Sequence, residues 1–235
     1  MATQLDPWDV WNDPRGPWVF ISHVHTQRHL AGDLKRELSR YGIEGFVAHD
    51  DIEPAREWED HIVAALQSCQ ALVALLSADA HESRWVDQEV GWALGRGLLV
   101  VSVSLDIAPY GFIGRYQAIP GAGRSPEDIA DQLFEVLLGD ARTAPSATEG
   151  MVTAFVESAS FEDARWTFDR LNRIPALSTV QLDRIEDAYA SNDQLSYAFY
   201  VQNRIEEFLR RHWAAHGIED YQMTGSEENQ EDGVE

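Results

Sequence analysis

The chain alternates short apolar runs with amphipathic segments, and this rhythm limits the folds open to it. Residues 18–22 (WVFIS), 44–48 (EGFVA), 71–77 (ALVALLS) and 98–104 (LLVVSVS) are apolar stretches of strand length, and 116–119 adds a short fifth candidate. Between them the spacing predicts helices. Residues 29–41 set Leu30, Leu34, Leu38 and Tyr41 on one face; Trp58, Ile62, Ala65, Leu66 and Cys69 share another; residues 84–95 form a third helix. Ser125-Pro126-Glu127-Asp128 has the form of a helix start, with Ser as N-cap and Pro at the first helical position, and that helix stops at Gly139. Strands apolar along their whole length are covered on both faces. The alternation therefore predicts an α/β, flavodoxin-like domain with a five-stranded parallel sheet over residues 17–138. In such a sheet ligands bind beyond the carboxyl ends of the strands, here near residues 22–25, 48–53, 77–81 and 104–108.

The remaining residues divide by composition. Residues 1–16, with Pro7, Pro14 and Gly16, read as an N-terminal extension, and 139–150 (GDARTAPSATEG) as a linker. Residues 151–216 read as an all-helical region, with helices over 152–159, 161–171 and 178–190 and one long pattern over 194–216. Residues 217–235 read as an acidic disordered tail, since the last nine hold five acids and no base.

Forty acids against 18 Lys and Arg give a net charge of −22. Such a chain repels phosphate backbones, and with no basic patch to override this, no nucleic acid partner is expected. A small anionic ligand stays compatible, because backbone N–H groups and one or two arginines suffice to hold it. No run approaches the ~20 apolar residues of a membrane span, and the first residues lack the basic and apolar regions of a signal peptide. A cytoplasmic protein without membrane contact is expected. The one cysteine, Cys69, follows a helical apolar pattern and excludes an internal disulfide. His23, His25 and His29 lack a clear fourth ligand, so no metal is expected. Glycine-rich nucleotide loops, a nucleophile elbow and the HExxH zinc motif are all missing.

Three features at the carboxyl edge can carry chemistry. Phe20-Ile21-Ser22-His23 ends the first strand in two polar side chains, which serves a pocket rim or an ordinary strand terminus equally. The loop from Asp50 to Trp58 gathers acids, Arg56 and an aromatic. It reads as a flap whose Trp58 stacks on a planar ring, or as a solvated loop with Trp58 as a core anchor. Trp85 and Glu89 lie four apart on one helical face, beside the apolar Val86, Val90 and Ala93. A carboxylate there costs stability, and desolvation would raise its pKa. The other reading is a surface glutamate paired with Arg84 or Arg96.

Taken in order, Phe20 through His23, Ile52-Glu53-Pro54 through Trp58-Glu59-Asp60-His61-Ile62, and Ser83 through Leu94 resemble the Toll/interleukin-1 receptor (TIR) domain in its bacterial form. The resemblance spans residues 17–138 and implies an activity: cleavage of the nicotinamide–ribose bond of NAD⁺. The products would be nicotinamide and ADP-ribose, a cyclic ADP-ribose isomer or another ADP-ribosyl conjugate, with NAD⁺ as substrate and no separate cofactor. It assigns Glu89 as the catalytic residue and Phe20, Ser22, His23, Glu53, Trp58 and Trp85 as substrate-binding residues. His23 stands where tyrosine is more frequent, and Ala55 where glycine is common. The resemblance also implies homo-oligomers built through TIR–TIR contacts that involve the 49–58 loop. Its biological setting would be Thoeris-like antiviral defence, either by depleting NAD⁺ or by making a nucleotide signal for a downstream effector. Two alternatives are a non-catalytic TIR scaffold and a nucleoside deoxyribosyltransferase-like enzyme. The Trp85–Glu89 spacing favours the TIR enzyme over both.

Overall fold

The computed structural model describes residues 10–11, 17–48 and 58–223, without the side chains of Trp58 and Glu59. Most of the expected N-terminal extension, the 49–57 loop with Glu53, and residues 224–235 of the tail lie outside the described residues. The chain forms two compact units, residues 1–150 and 151–235.

In the first unit the apolar runs become strands β1 (Trp18–Ser22), β2 (Glu44–Phe46), β3 (Ala71–Leu76), β4 (Leu99–Ser104) and β5 (Ile119–Pro120). All neighbours pair in parallel in the order β2-β1-β3-β4-β5. The order reverses between β1 and β3, the point at which open α/β sheets form a ligand crevice. β3 pairs with β4 along six residues, whereas β5 reaches β4 only at Val103 and Ser104. In this parallel register residues 115–118, ahead of β5, stand opposite 99–102 and form no strand, so no described strand lies on that outer edge.

Helices α1 (Arg28–Ser39), α2 (Trp58–Ser68), α3 (Arg84–Gly95) and α4 (Pro126–Gly139) cover the sheet. Alternation along the strands sends Phe20, Leu72, Ala74 and Leu76 into one core with Ile62, Ala65 and Leu66 of α2 and Val86, Val90 and Ala93 of α3. Cys69 belongs to this core, and burial pushes its thiol up to about 12. On the other face α1 packs on α4, with the Tyr41 and Phe134 ring centroids 4.9 Å apart. Ser125 caps α4 in a reciprocal capping box with Asp128.

The residues expected as a linker do not form one. Thr143 turns the chain after α4, its hydroxyl donating to the Leu137 carbonyl at 2.7 Å, and α5 (Ala144–Val156) follows at once. The small, polar composition of 139–150 conceals this helix start. Pro145 sits in the first turn, where no intrahelical N–H is needed. Gly150 of α5 meets the turn at Gly42 backbone to backbone: a Cβ on Gly42, whose φ is +69°, would stand 2.2 Å from the Gly150 carbonyl oxygen.

The second unit holds α6 (Phe161–Leu171), α7 (Thr179–Ser191), α8 (Asp193–Ser196), α9 (Phe199–Gln202) and α10 (Ile205–Ala214). Phe168 is its hub, with ring contacts to Phe155, Tyr200 and Phe208. The single long helix expected over 194–216 is three helices. Ala198 has extended backbone (ψ 101°) and Arg204 is non-helical (φ −133°), and these breaks turn Leu195, Val201, Ile205 and Leu209 inward. The start of the expected tail is largely exposed but returns to the helical unit at Tyr221. Gly217 (φ +83°) closes α10, and Tyr221 stacks on Trp213 at 5.9 Å. Among the described residues no helix is long and apolar enough to cross a membrane.

Candidate functional site

The strand β1 ends at the switch point with Ser22, which shares the sheet face of Phe20 and so points toward α3. Helix α3 is capped by Ser83, whose hydroxyl accepts the Val86 N–H at 3.3 Å. Val86, Val90 and Ala93 then anchor its inner face, and Glu89, about 100° around the helix from Val90, is carried down beside the sheet. The Ser22 hydroxyl donates to Glu89 Oε2 at 2.5 Å. Ser22 is 1% exposed and Glu89 6%.

Two opposed influences act on that carboxyl. Burial raises its pKa from 4.5 to about 7, and the Ser22 hydrogen bond, which favours the ionised form, works in the opposite direction. The expected alternative, a surface glutamate paired with Arg84 or Arg96, does not occur. Arg96 instead donates to the Leu66 carbonyl at the end of α2. A carboxyl that titrates near neutrality at a strand-end crevice can hold hydroxyl donors, stabilise developing positive charge or exchange a proton.

The other sequence-predicted residues fall in different places. His23 follows Ser22, and its Nδ1 lies 2.9 Å from the Ile21 carbonyl, so that nitrogen carries the proton. Trp85 stands one turn before Glu89 on α3 and is 45% exposed. Phe20 does not line a cleft: it is 1% exposed and stacked on Phe46 at 5.4 Å, because its parity and its depth in β1 place it in the core. Glu53 and the Trp58 side chain lie outside the described residues. Among the described residues no group of three or more His, Cys, Asp or Glu is placed to hold a metal ion.

The sequence reading missed the opposite flank of α3. Tyr110 reaches back from the loop after β4, its hydroxyl 2.9 Å from the Asp87 carboxylate and 3.2 Å from the Ala80 carbonyl, with its ring 3.9 Å from that of His81. Burial and Asp87 push its hydroxyl up to about 12. Behind it lies a cavity of about 300 Å³ bordered by Leu76, Val86, Val90 and Phe112. The only sequence signal was an aromatic residue in a loop at a strand's carboxyl end. A larger cavity, about 640 Å³, opens between β4 and α4 beside Leu99, Val101, Tyr116 and Glu135, away from every predicted site residue.

Residues 19–134 match the family model of the TIR domain. These residues are a TIR domain. Among solved structures, the TIR domain of the Toll-related receptor TRR-2 from Hydra magnipapillata is similar to this chain at 17% identity, with a TM-score of 0.38. The similarity covers 43% of this chain and 81% of that one. No curated protein matches the chain. In the TIR domain described here, the Ser22–Glu89 contact joins the first strand to the third helix at the crevice.

Proposed function

We propose that this TIR domain cleaves the N-glycosidic bond between nicotinamide and ribose in NAD⁺, with Glu89 as its catalytic carboxylate. The observation that carries the reading is Glu89 itself: a desolvated carboxyl on α3, bonded to the end of β1 at the sheet's switch point. Nicotinamide is a good leaving group, and its departure builds positive charge on the ribose. An ionised carboxylate in a site of low polarity stabilises that charge far more than it would in water, and it can accept hydrogen bonds from the ribose hydroxyls. Few groups are needed, in keeping with the lack of any long motif. Trp85 would wall the ribose or nicotinamide, His23 would border the entrance, and Glu53 and Trp58 would complete the cleft as the family resemblance implies. Water as acceptor yields ADP-ribose; an internal acceptor yields a cyclic isomer.

The reading extends to oligomers formed through TIR–TIR contacts and to a role in bacterial antiviral defence, by depletion of NAD⁺ or by a nucleotide signal read by an effector. A scaffold reading draws on one observation: Trp85 and Trp92, 45% and 42% exposed, lie seven residues apart on the outer side of α3 and give it an aromatic face suited to another protein. One experiment separates the two. Concentrated full-length protein is incubated with NAD⁺ beside Glu89→Gln, and products are resolved by chromatography and mass spectrometry. The enzymatic reading expects release of nicotinamide, reduced on the order of 10²–10⁴-fold in the variant. Intact NAD⁺ at every protein concentration refutes it.

A further inference from the structure

We propose that Ser22 is a positioning residue for Glu89: from the end of β1 its buried hydroxyl fixes one carboxylate oxygen and keeps the group ready in its ionised form. This inference rests on the reading of Glu89 as the catalytic carboxylate, and it gives Ser22 a different task from the substrate contact that the family resemblance implies.

The geometry carries the argument. At 2.5 Å the contact has the length of an O–H···O⁻ bond, shorter than bonds between neutral groups. With Ser22 1% exposed, the hydroxyl is not available to a ligand without first leaving Glu89. Glu89 makes no other hydrogen bond among the described residues, so Oε2 is committed to Ser22 and Oε1 is the oxygen left to act. The two residues are 67 apart in sequence and sit on rigid elements: β1, paired on both sides, and α3, anchored by three core residues. A carboxylate on a single flexible side chain would otherwise sample several rotamers.

Other groups do not provide this control. Among the described side chains, the titratable ones on the elements packed against α3 are His23 after β1, Asp60 and His61 on α2, and Asp79, His81 and Glu82 in the segment before α3. On α3 itself Asp87 is engaged by Tyr110. Among the described residues none of them shifts Glu89, whose titration answers to burial first and then to the Ser22 hydrogen bond.

The test uses full-length wild type, Ser22→Ala and Ser22→Thr. It reads the Glu89 side-chain carboxyl by carbon-13 NMR against pH, and NAD⁺ cleavage over the same range. Loss of a hydrogen bond to an ionised group moves a midpoint by roughly one to two pH units. In Ser22→Ala the Glu89 midpoint should rise by that amount. The acid limb of the activity profile should rise with it, so that the variant's defect is tenfold or more at pH 6 and small at pH 9. Ser22→Thr, which keeps the hydroxyl, should return both toward wild type. An unmoved NMR midpoint in Ser22→Ala overturns the proposal, as does a loss of activity that is the same at every pH. Wild-type protein that leaves NAD⁺ intact overturns the enzymatic reading instead; the NMR midpoint, which needs no turnover, still decides whether Ser22 controls Glu89.

Discussion

Replacing Glu89 by glutamine should make the TIR domain more stable, and only above acidic pH. The folded-state pKa of about 7 stands above the unfolded value of 4.5, so folding favours the neutral carboxyl. Below pH 4.5 the group is neutral in both states and costs nothing. As pH rises from 4.5 through about 7 the unfolded chain ionises first, and stability is lost until the folded group ionises too. At 1.36 kcal/mol per unit, this shift amounts to about 3 kcal/mol above pH 7. Glutamine has the same shape, keeps an oxygen for the Ser22 hydroxyl and carries no charge. Its midpoint of unfolding at pH 8 should therefore lie roughly 6–12 °C above wild type, at 2–4 °C per kcal/mol for a unit of this size. At pH 4.5 the two proteins should melt within a few degrees. Scanning calorimetry at both pH values measures this, with hydrogen exchange of the β3 amides assigning the transition to the TIR unit. Equal stabilities at pH 8, or a gain that is the same at both pH values, would show that Glu89 is not desolvated as the structure has it.

Two further outcomes test packing and charge elsewhere. Gly42→Ala combines a left-handed φ with a Cβ 2.2 Å from the Gly150 carbonyl and should lose more than about 2 kcal/mol in denaturant unfolding. Gly97→Ala, at φ +73° with nothing within 4 Å, should lose only the backbone part, and equal losses would refute the close contact with α5. In the helical unit, burial and then Arg211 and His216 lower the His212 pKa from 6.5 to about 4. Its contribution is present above pH 6.5 and lost as pH falls toward 4, opposite in direction to that of Glu89. The ring resonances should titrate near pH 4, and a midpoint near 6.5 would refute the burial.

Much of the TIR fold was legible because it is written in local pattern. Continuous runs such as Ala71–Leu76 admit a buried parallel strand and little else, and Ser125-Pro126 with Asp128 is a complete helix start. Glu89 was visible as a carboxylate four residues after Trp85 and beside the Val86, Val90 and Ala93 stripe. Its partner was not, since the Ser22–Glu89 bond spans 67 residues and depends on which helix crosses the end of β1. Phe20 was misplaced because a motif records adjacency along the chain, whereas alternate strand residues go to core and rim by depth as well as by parity. The small residues of 139–150 hid the first turns of α5, which dock through Ala147 and Gly150, while its large buried residues Met151, Val152 and Phe155 come only later. The break of the last helical pattern left no Pro or Gly at Ala198 or Arg204 to announce it.

The brevity of β5 reaches beyond the site. The rim of β4 over residues 99–102 pairs with no described strand, and residues 116–118 and α4 border it across the cavity. Each molecule also carries 22 excess negative charges. Two copies approaching rim to rim therefore repel over tens of ångströms in dilute buffer, and over only about 8 Å at physiological ionic strength. Charge thus adds a diffuse, salt-dependent barrier to the cover that residues 116–118 and α4 give this edge.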